Sequence, residues 1–155
     1  MVAEEAARGL TNRPGFLLSR VGTSAQAGFK TVLAQWEIRP LHFLVLMALN
    51  AATGPSQQEL CRSLGIDSGN MVDLLDTLEA LGYAKRSRDA NDRRRHVITL
   101  MPAGQAALSQ ITDAVEQFDS QFLEPLDEVE QRQLVNLLAK LYAATAEAQG
   151  QGYSR

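Results

Sequence analysis

Apolar residues recur at helical spacing over most of the chain. Leu18, Val21, Ala25, Phe29, Val32 and Trp36 follow one another at steps of three and four, which predicts one stripe on a long helix from about Arg8 to Gln35, with Pro14 near its start. Pro40 opens a second helix, Leu-His-Phe-Leu-Val-Leu-Met-Ala-Leu49, that is apolar on nearly every side and so predicts a buried element. Ala51-Ala-Thr-Gly-Pro55 breaks it. Ser56-Gln-Gln-Glu59 is a capping box that starts a short helix, and Gly65 ends that helix as a left-handed residue would. Another helix starts near Ser68, with Met71, Leu74, Leu75, Leu78 and Leu81 on its apolar face and Gly82 as its stop. Two helices joined by a tight glycine-containing turn form a helix-turn-helix pattern.

The period then changes. Tyr83–Arg88 and Arg95–Leu100 read as strands around a turn, placing a β-hairpin, or wing, directly after the second helix. Pro102 opens a long helix in which Leu108, Ile111, Val115, Phe118 and Phe122 alternate steps of three and four, a heptad seam narrower than a globular helix needs. Pro125 breaks it, and Asp127-Glu-Val-Glu130 starts a last helix carrying Leu134, Leu137, Leu138, Leu141 and Tyr142 on one side. The expected fold class is mainly α. A winged helix-turn-helix core with a short two-stranded wing spans 38–101, helical dimerisation segments span 8–37 and 102–148 of the same compact chain, and 149–155 form a disordered tail. One chain offers the terminal seams few partners, so a homodimer built from both termini is expected.

Composition adds limits. At 155 residues, 45% hydrophobic and 21% charged, the chain is an ordinary globular sequence with a net charge of −3. A single cysteine, Cys61, excludes an internal disulfide and a zinc site, and is expected to be a buried, inert thiol in a reducing compartment. No apolar run reaches the roughly 18 residues of a membrane span. The start, Met1-Val-Ala-Glu-Glu5, lacks the pattern of a secretion signal, so a cytoplasmic protein is expected.

Charge patterning supplies the candidate chemistry. Lys85 to Arg95 holds six of the chain's 15 cations and two acids, a local +4 on an acidic protein. A cationic hairpin tip on an acidic body points to a polyanion, with double-stranded DNA first. No glycine-rich phosphate loop, nucleophile elbow or His/carboxylate cluster is evident, so an enzyme is not expected, nor is a metal site or a bound cofactor.

Leu64-Gly-Ile66, Leu74 through Leu81-Gly82-Tyr83, Arg86, Asn91-Asp92-Arg93-Arg94, and Leu100 through Pro102-Ala103-Gly104 resemble the MarR family of bacterial winged-helix regulators, over about Leu17 to Leu141. The Asp-Arg-Arg tip, set between Gly82 and the Pro-Ala-Gly helix start, is the specific part. The resemblance implies a dimer on a pseudo-palindromic operator. The helix from Ser68 would enter the major groove, Arg94 of the wing would reach the flanking minor groove, and Asp92 would hold the wing through a salt bridge. A pocket for phenolic or other aromatic acids would lie between the dimerisation helices and the DNA-binding core, and the output would be a repressor relieved by such an effector.

The residues agree at the wing, because a guanidinium suits the negative potential of a narrow minor groove. Arg88, Arg93 and Arg95 are placed for phosphates. Gln57, Ser68, Asn70, Asp73 and Thr77 are the candidate contacts of the helix pair, with Asn70 suited to adenine and Asp73 to cytosine N4. Arg86 is the first partner expected for Asp92. Phe29, Trp36 and His42 are candidate pocket residues where the first two helices meet, the alternative for each being a plain core position; His42 is also a candidate pH or ligand sensor. Two departures stand out. From Asp67 to Leu81 the recognition helix carries Asp67, Asp73, Asp76 and Glu79 and no cation, which keeps open a second function, a helical dimeric protein-interaction or ligand-binding module with weak or lost DNA binding. Met101 stands where the family commonly has Thr, a loss of helix capping on the order of 1 kcal/mol.

Overall fold

The computed structural model describes residues 9, 11–89, 92 and 96–151, with side chains through 145. In chain order the elements are α1 (Pro14–Ala34), α2 (Pro40–Ala51), α3 (Gln57–Leu64), α4 (Ser68–Ala80), β1 (Ala84–Arg88), β2 (His96–Leu100), α5 (Pro102–Phe122) and α6 (Glu128–Gln151). The chain resolves into two units, residues 1–118 and 119–155, and α5 runs across their boundary.

Helix α1 starts at Pro14 rather than running through from Arg8. Asn12 and Arg13 are not helical, and Arg13 is extended (φ −91°, ψ 121°), as the residue before a proline prefers. After Ala34 the chain reverses through Glu37, which takes a left-handed conformation (φ 58°). Helix α2 departs from the expectation of burial all round. His42, Val45, Leu46 and Leu49 are buried, whereas Leu41, Leu44 and Met47 face solvent. A run of apolar residues states only that burial is favourable, not that one chain has enough neighbours to provide it.

The helix-turn-helix follows its local signals closely. Ser56 Oγ accepts the Glu59 N–H at 3.3 Å, and a Glu59 carboxylate oxygen accepts the Ser56 N–H at 2.7 Å. Gly65 closes α3 in the left-handed region (φ 64°, ψ 30°), which only glycine adopts without strain. Asp67 caps α4 by accepting the Asn70 N–H at 3.0 Å. Met71, Leu74, Leu75 and Leu78 turn inward to a core shared with Leu33, Leu46, Leu60, Ile98 and Ile111.

The wing is an antiparallel pair with Ala84 opposite Leu100 and Arg88 opposite His96. The Ile98 N–H also donates to the Pro55 carbonyl at 2.8 Å, anchoring β2 to the loop after α2. Helix α5 then packs against the base of the wing. The Met101 N–H donates to the Tyr83 carbonyl at 2.9 Å, and Gly104 lies so close to Tyr83 that a Cβ there would sit 2.8 Å from the Tyr83 carbonyl carbon.

The α5 seam expected to await a second chain is largely satisfied within this one. Leu108 and Ile111 are buried in the core, Val115 packs against it, and the Phe118 ring lies over Gly28 of α1. In the second unit, Asp127 and Glu130 form a reciprocal cap at the start of α6, with bonds of 2.8–2.9 Å. Val135, Leu137, Leu138, Leu141 and Tyr142 on that helix are exposed, Tyr142 by 77%. Among the described residues no helix is long and apolar enough to cross a membrane.

Candidate nucleic-acid interface

The outward face of α4 is built from its cap. Asp67 takes the Asn70 N–H and also one Asn70 side-chain N–H, at 2.6 Å. These two bonds, the backbone one first, hold the Asp67 carboxylate below its ordinary pKa. Asn70 is thereby fixed in place beside the cap. Asp73 is exposed one turn further on, and the Thr77 hydroxyl is turned back onto the Asp73 carbonyl at 3.0 Å. Across the tight turn, Gln57 and Ser68 border one groove of about 450 Å³ together with Gln58, Cys61 and Arg62. Five candidate contacts, Gln57, Ser68, Asn70, Asp73 and Thr77, therefore lie on α3 and α4. Arg62 adds a cation that reading α3 only for its caps overlooks, although its helical spacing from Gln58 was visible.

The expected pairing of Arg86 with Asp92 is corrected. Arg86 Nη1 donates to Asp76 at 2.6 Å and to the second carboxylate, Glu79; its Nη2 donates to the Val72 carbonyl at 3.1 Å, and its backbone N–H donates to Glu79 at 2.6 Å. Burial pulls the guanidinium pKa down, but the bonds to Asp76 and Glu79 outweigh it and keep Arg86 charged. The reason is position: Arg86 lies in the middle of β1, beside the exit of α4, and not at the wing tip. Arg88, at the end of β1, is exposed, as is Asp92. Arg93, Arg94 and Arg95 lie outside the described residues.

The candidate pocket residues have packing roles. His42 is 2% exposed, and its Nδ1 accepts the Arg39 N–H at 2.9 Å, so the imidazole completes the cap of α2. Its Nε2 is buried with no hydrogen-bond partner among the described residues. Burial first, and the Arg39 charge second, lower its pKa, which keeps the ring neutral. Phe29 meets Phe43 edge-on with ring centroids 6.0 Å apart, and the Trp36 indole N–H reaches Gln110 at 3.4 Å. The cavity at the junction of α1 and α2, about 550 Å³, is lined instead by Gln26, Lys30, Arg39, Pro40, Leu41, Asn70, Asp73 and Leu74. Lys30 and Arg39 escaped notice in the sequence because they lie nine positions apart on different elements. Among the described residues no group of three or more His, Cys, Asp or Glu side chains is gathered for a metal ion.

A helix-turn-helix followed by a hairpin of this register is matched by known proteins. The sequence pattern of the MarR family covers residues 36–95. A protein of Thauera aromatica described as a transcriptional regulatory protein for the hcr operon is 30% identical over 134 residues, 86% of this chain and 81% of that relative. The chain belongs to the MarR family.

Solved structures carry the same fold. The transcriptional repressor CouR, bound to a 23-mer DNA duplex, superimposes with a TM-score of 0.75 at 30% identity, covering 86% of this chain and 94% of CouR. BpsR of Bordetella bronchiseptica, whose DNA binding is regulated by 6-hydroxynicotinic acid, gives 0.70 at 26% identity, covering 85% and 94%. As a MarR-family protein the chain is a DNA-binding transcriptional regulator, mainly helical with a two-stranded wing. Members of this family are not enzymes.

Proposed function

We propose that this MarR-family protein is a ligand-responsive repressor that binds a pseudo-palindromic operator as a homodimer. The region 38–101 is the DNA-binding part, and 8–37 with 102–148 form the dimerisation part. Gln57, Ser68, Asn70, Asp73 and Thr77 face the major groove. Arg94 enters the minor groove, and Arg88, Arg93 and Arg95 hold phosphates. The second copy covers Leu17, Leu18 and Val21 of α1 and Leu137, Leu138 and Leu141 of α6, all exposed in the single chain. Such a regulator works in the cytoplasm, where its operator is.

The observation that carries the ligand response is the cavity between α1, α2 and α4. Lys30 and Arg39 give it two cations, and Asn70 and Asp73 of the recognition face form part of its wall. An aromatic carboxylate placed there meets opposite charge and touches the residues that read DNA, so its differential affinity for the DNA-free form releases the operator. The regulation of BpsR by 6-hydroxynicotinic acid supports this class of effector. The acidic recognition helix is the ground for the alternative, a module without DNA binding, and the pairing of Asp76 and Glu79 with Arg86 removes half of that ground.

The experiment is a band shift with the duplex upstream of the protein's own gene, run against a panel of aromatic acids that includes 6-hydroxynicotinic acid. At least one acid is expected to release the duplex, and Lys30→Gln is expected to weaken that response about tenfold while DNA binding stays within about threefold. A complex untouched by the whole panel contradicts the ligand response. Sedimentation at micromolar concentration is expected to show a dimer, and a folded monomer contradicts the assembly.

A further inference from the structure

Helix α4 with its cap is a poor approach to a phosphate backbone. Four carboxylates, Asp67, Asp73, Asp76 and Glu79, lie on it, and no cation does. The cation comes from the next element. Arg86 reaches out of β1 and spans two turns of α4, donating to the Val72 carbonyl, Asp76 and Glu79, while Glu79 also accepts the Arg86 backbone N–H. The network is not sequestered. The Asp76 side chain is 59% exposed, Glu79 30% and Arg86 26%, so its net charge is felt outside the protein.

We infer that Arg86 is a positioning residue for DNA binding, a counter-charge on the wing strand that masks the acidic recognition helix so that it can approach the duplex. This rests on α4 being the element that faces the major groove. Arg86 itself touches no DNA in this account; it acts through Asp76 and Glu79. Two carboxylates and one guanidinium leave the network at −1 per chain. Changing the network's composition therefore sets a ladder of charge with the backbone unchanged. Arg86→Gln gives −2, wild type −1, the triple variant Arg86→Gln/Asp76→Asn/Glu79→Gln gives 0, and Asp76→Asn/Glu79→Gln with Arg86 kept gives +1.

A charge role and a purely structural role predict opposite orders. If the network only braces the wing, all three variants, each of which breaks its ion pairs, bind DNA worse than wild type, and salt makes no difference to the ranking. If charge decides, affinity for one operator duplex rises along the ladder, by roughly threefold per step at low salt, and the steps shrink as salt screens them. The test is fluorescence anisotropy of a labelled operator duplex with the full-length chain and all three variants, at about 0.05 M and 0.3 M salt. Circular dichroism confirms that each variant is folded. The expected result is tighter binding by Asp76→Asn/Glu79→Gln than by wild type. Should Arg86→Gln fail to fold, that double variant alone still decides the matter. Weaker or unchanged binding by the double variant overturns the inference and leaves DNA recognition by α4 standing. Failure of every protein, wild type included, to bind the duplex removes the reading on which the inference rests.

Discussion

Arg94→Ala is expected to weaken operator binding by about a hundredfold at physiological salt. The dimer carries two wings, and each loses a guanidinium from the groove where the potential is most negative. At about 1–3 kcal/mol per lost contact, two contacts give between roughly thirtyfold and roughly twenty-thousandfold, and the expected value lies toward the lower end. The slope of log affinity against log salt should fall by about 2 for the dimer, one counterion per wing. Arg88→Ala, at the exposed end of β1, removes a phosphate contact in this account, so it should lower affinity by a similar factor for specific and random duplexes. An Arg94→Ala protein that binds like wild type would remove the wing from the mechanism. The strand register makes this a local test, because Arg88 and His96 close the ladder and the core side chain, Ile98, lies two residues below.

The largest expected effect on stability falls at Gly104, in the first turn of α5. A methyl group there would meet the Tyr83 carbonyl and come within 2.9 Å of a Leu100 methyl. The obstacle is backbone at the base of the wing, held by the Met101 N–H, and it cannot swing aside as a side chain could. Gly104→Ala should therefore lower stability by about 2–3 kcal/mol, in spite of alanine's better helix propensity. Thermal unfolding should shift down by roughly 5–10 °C. Gly22→Ala is the control: nothing lies within 4 Å of a Cβ there, so it should stabilise α1 slightly. Equal melting temperatures for wild type and Gly104→Ala would mean that α5 does not approach the wing as closely as the geometry states.

The parts of this fold that were legible in the sequence are those with local causes. The Ser56/Glu59 box, the left-handed Gly65, the Asp67 cap and the hairpin between Gly82 and Pro102 each depend on residues a few positions apart, and each lies where spacing predicts. The early start of α1 failed for an equally local reason, since the residue before Pro14 is biased to extended backbone. Tertiary choices were less visible. Periodicity identified the α5 seam but not whose surface fills it, and Leu108 and Ile111 turn out to serve their own core. Arg86 has four carboxylates within a short span of sequence, Asp76, Glu79, Asp89 and Asp92, and only the geometry of β1 against α4 selects among them. His42 was named as a candidate pocket residue because it lies where the first two helices meet. Its place three residues after Arg39 was the available sign that it also caps α2.

The central claim is electrostatic: an acidic protein grips DNA through paired cationic wings beside a recognition helix whose carboxylates are partly masked. Its most direct test is the salt dependence of wild-type binding to the upstream duplex, measured by anisotropy from about 0.05 M to 0.3 M salt. For a dimer that neutralises about 6 to 8 phosphates, log affinity should fall linearly with log salt at a slope of roughly −5 to −7. A slope near zero, or no binding to any duplex at the lowest salt, would contradict the account.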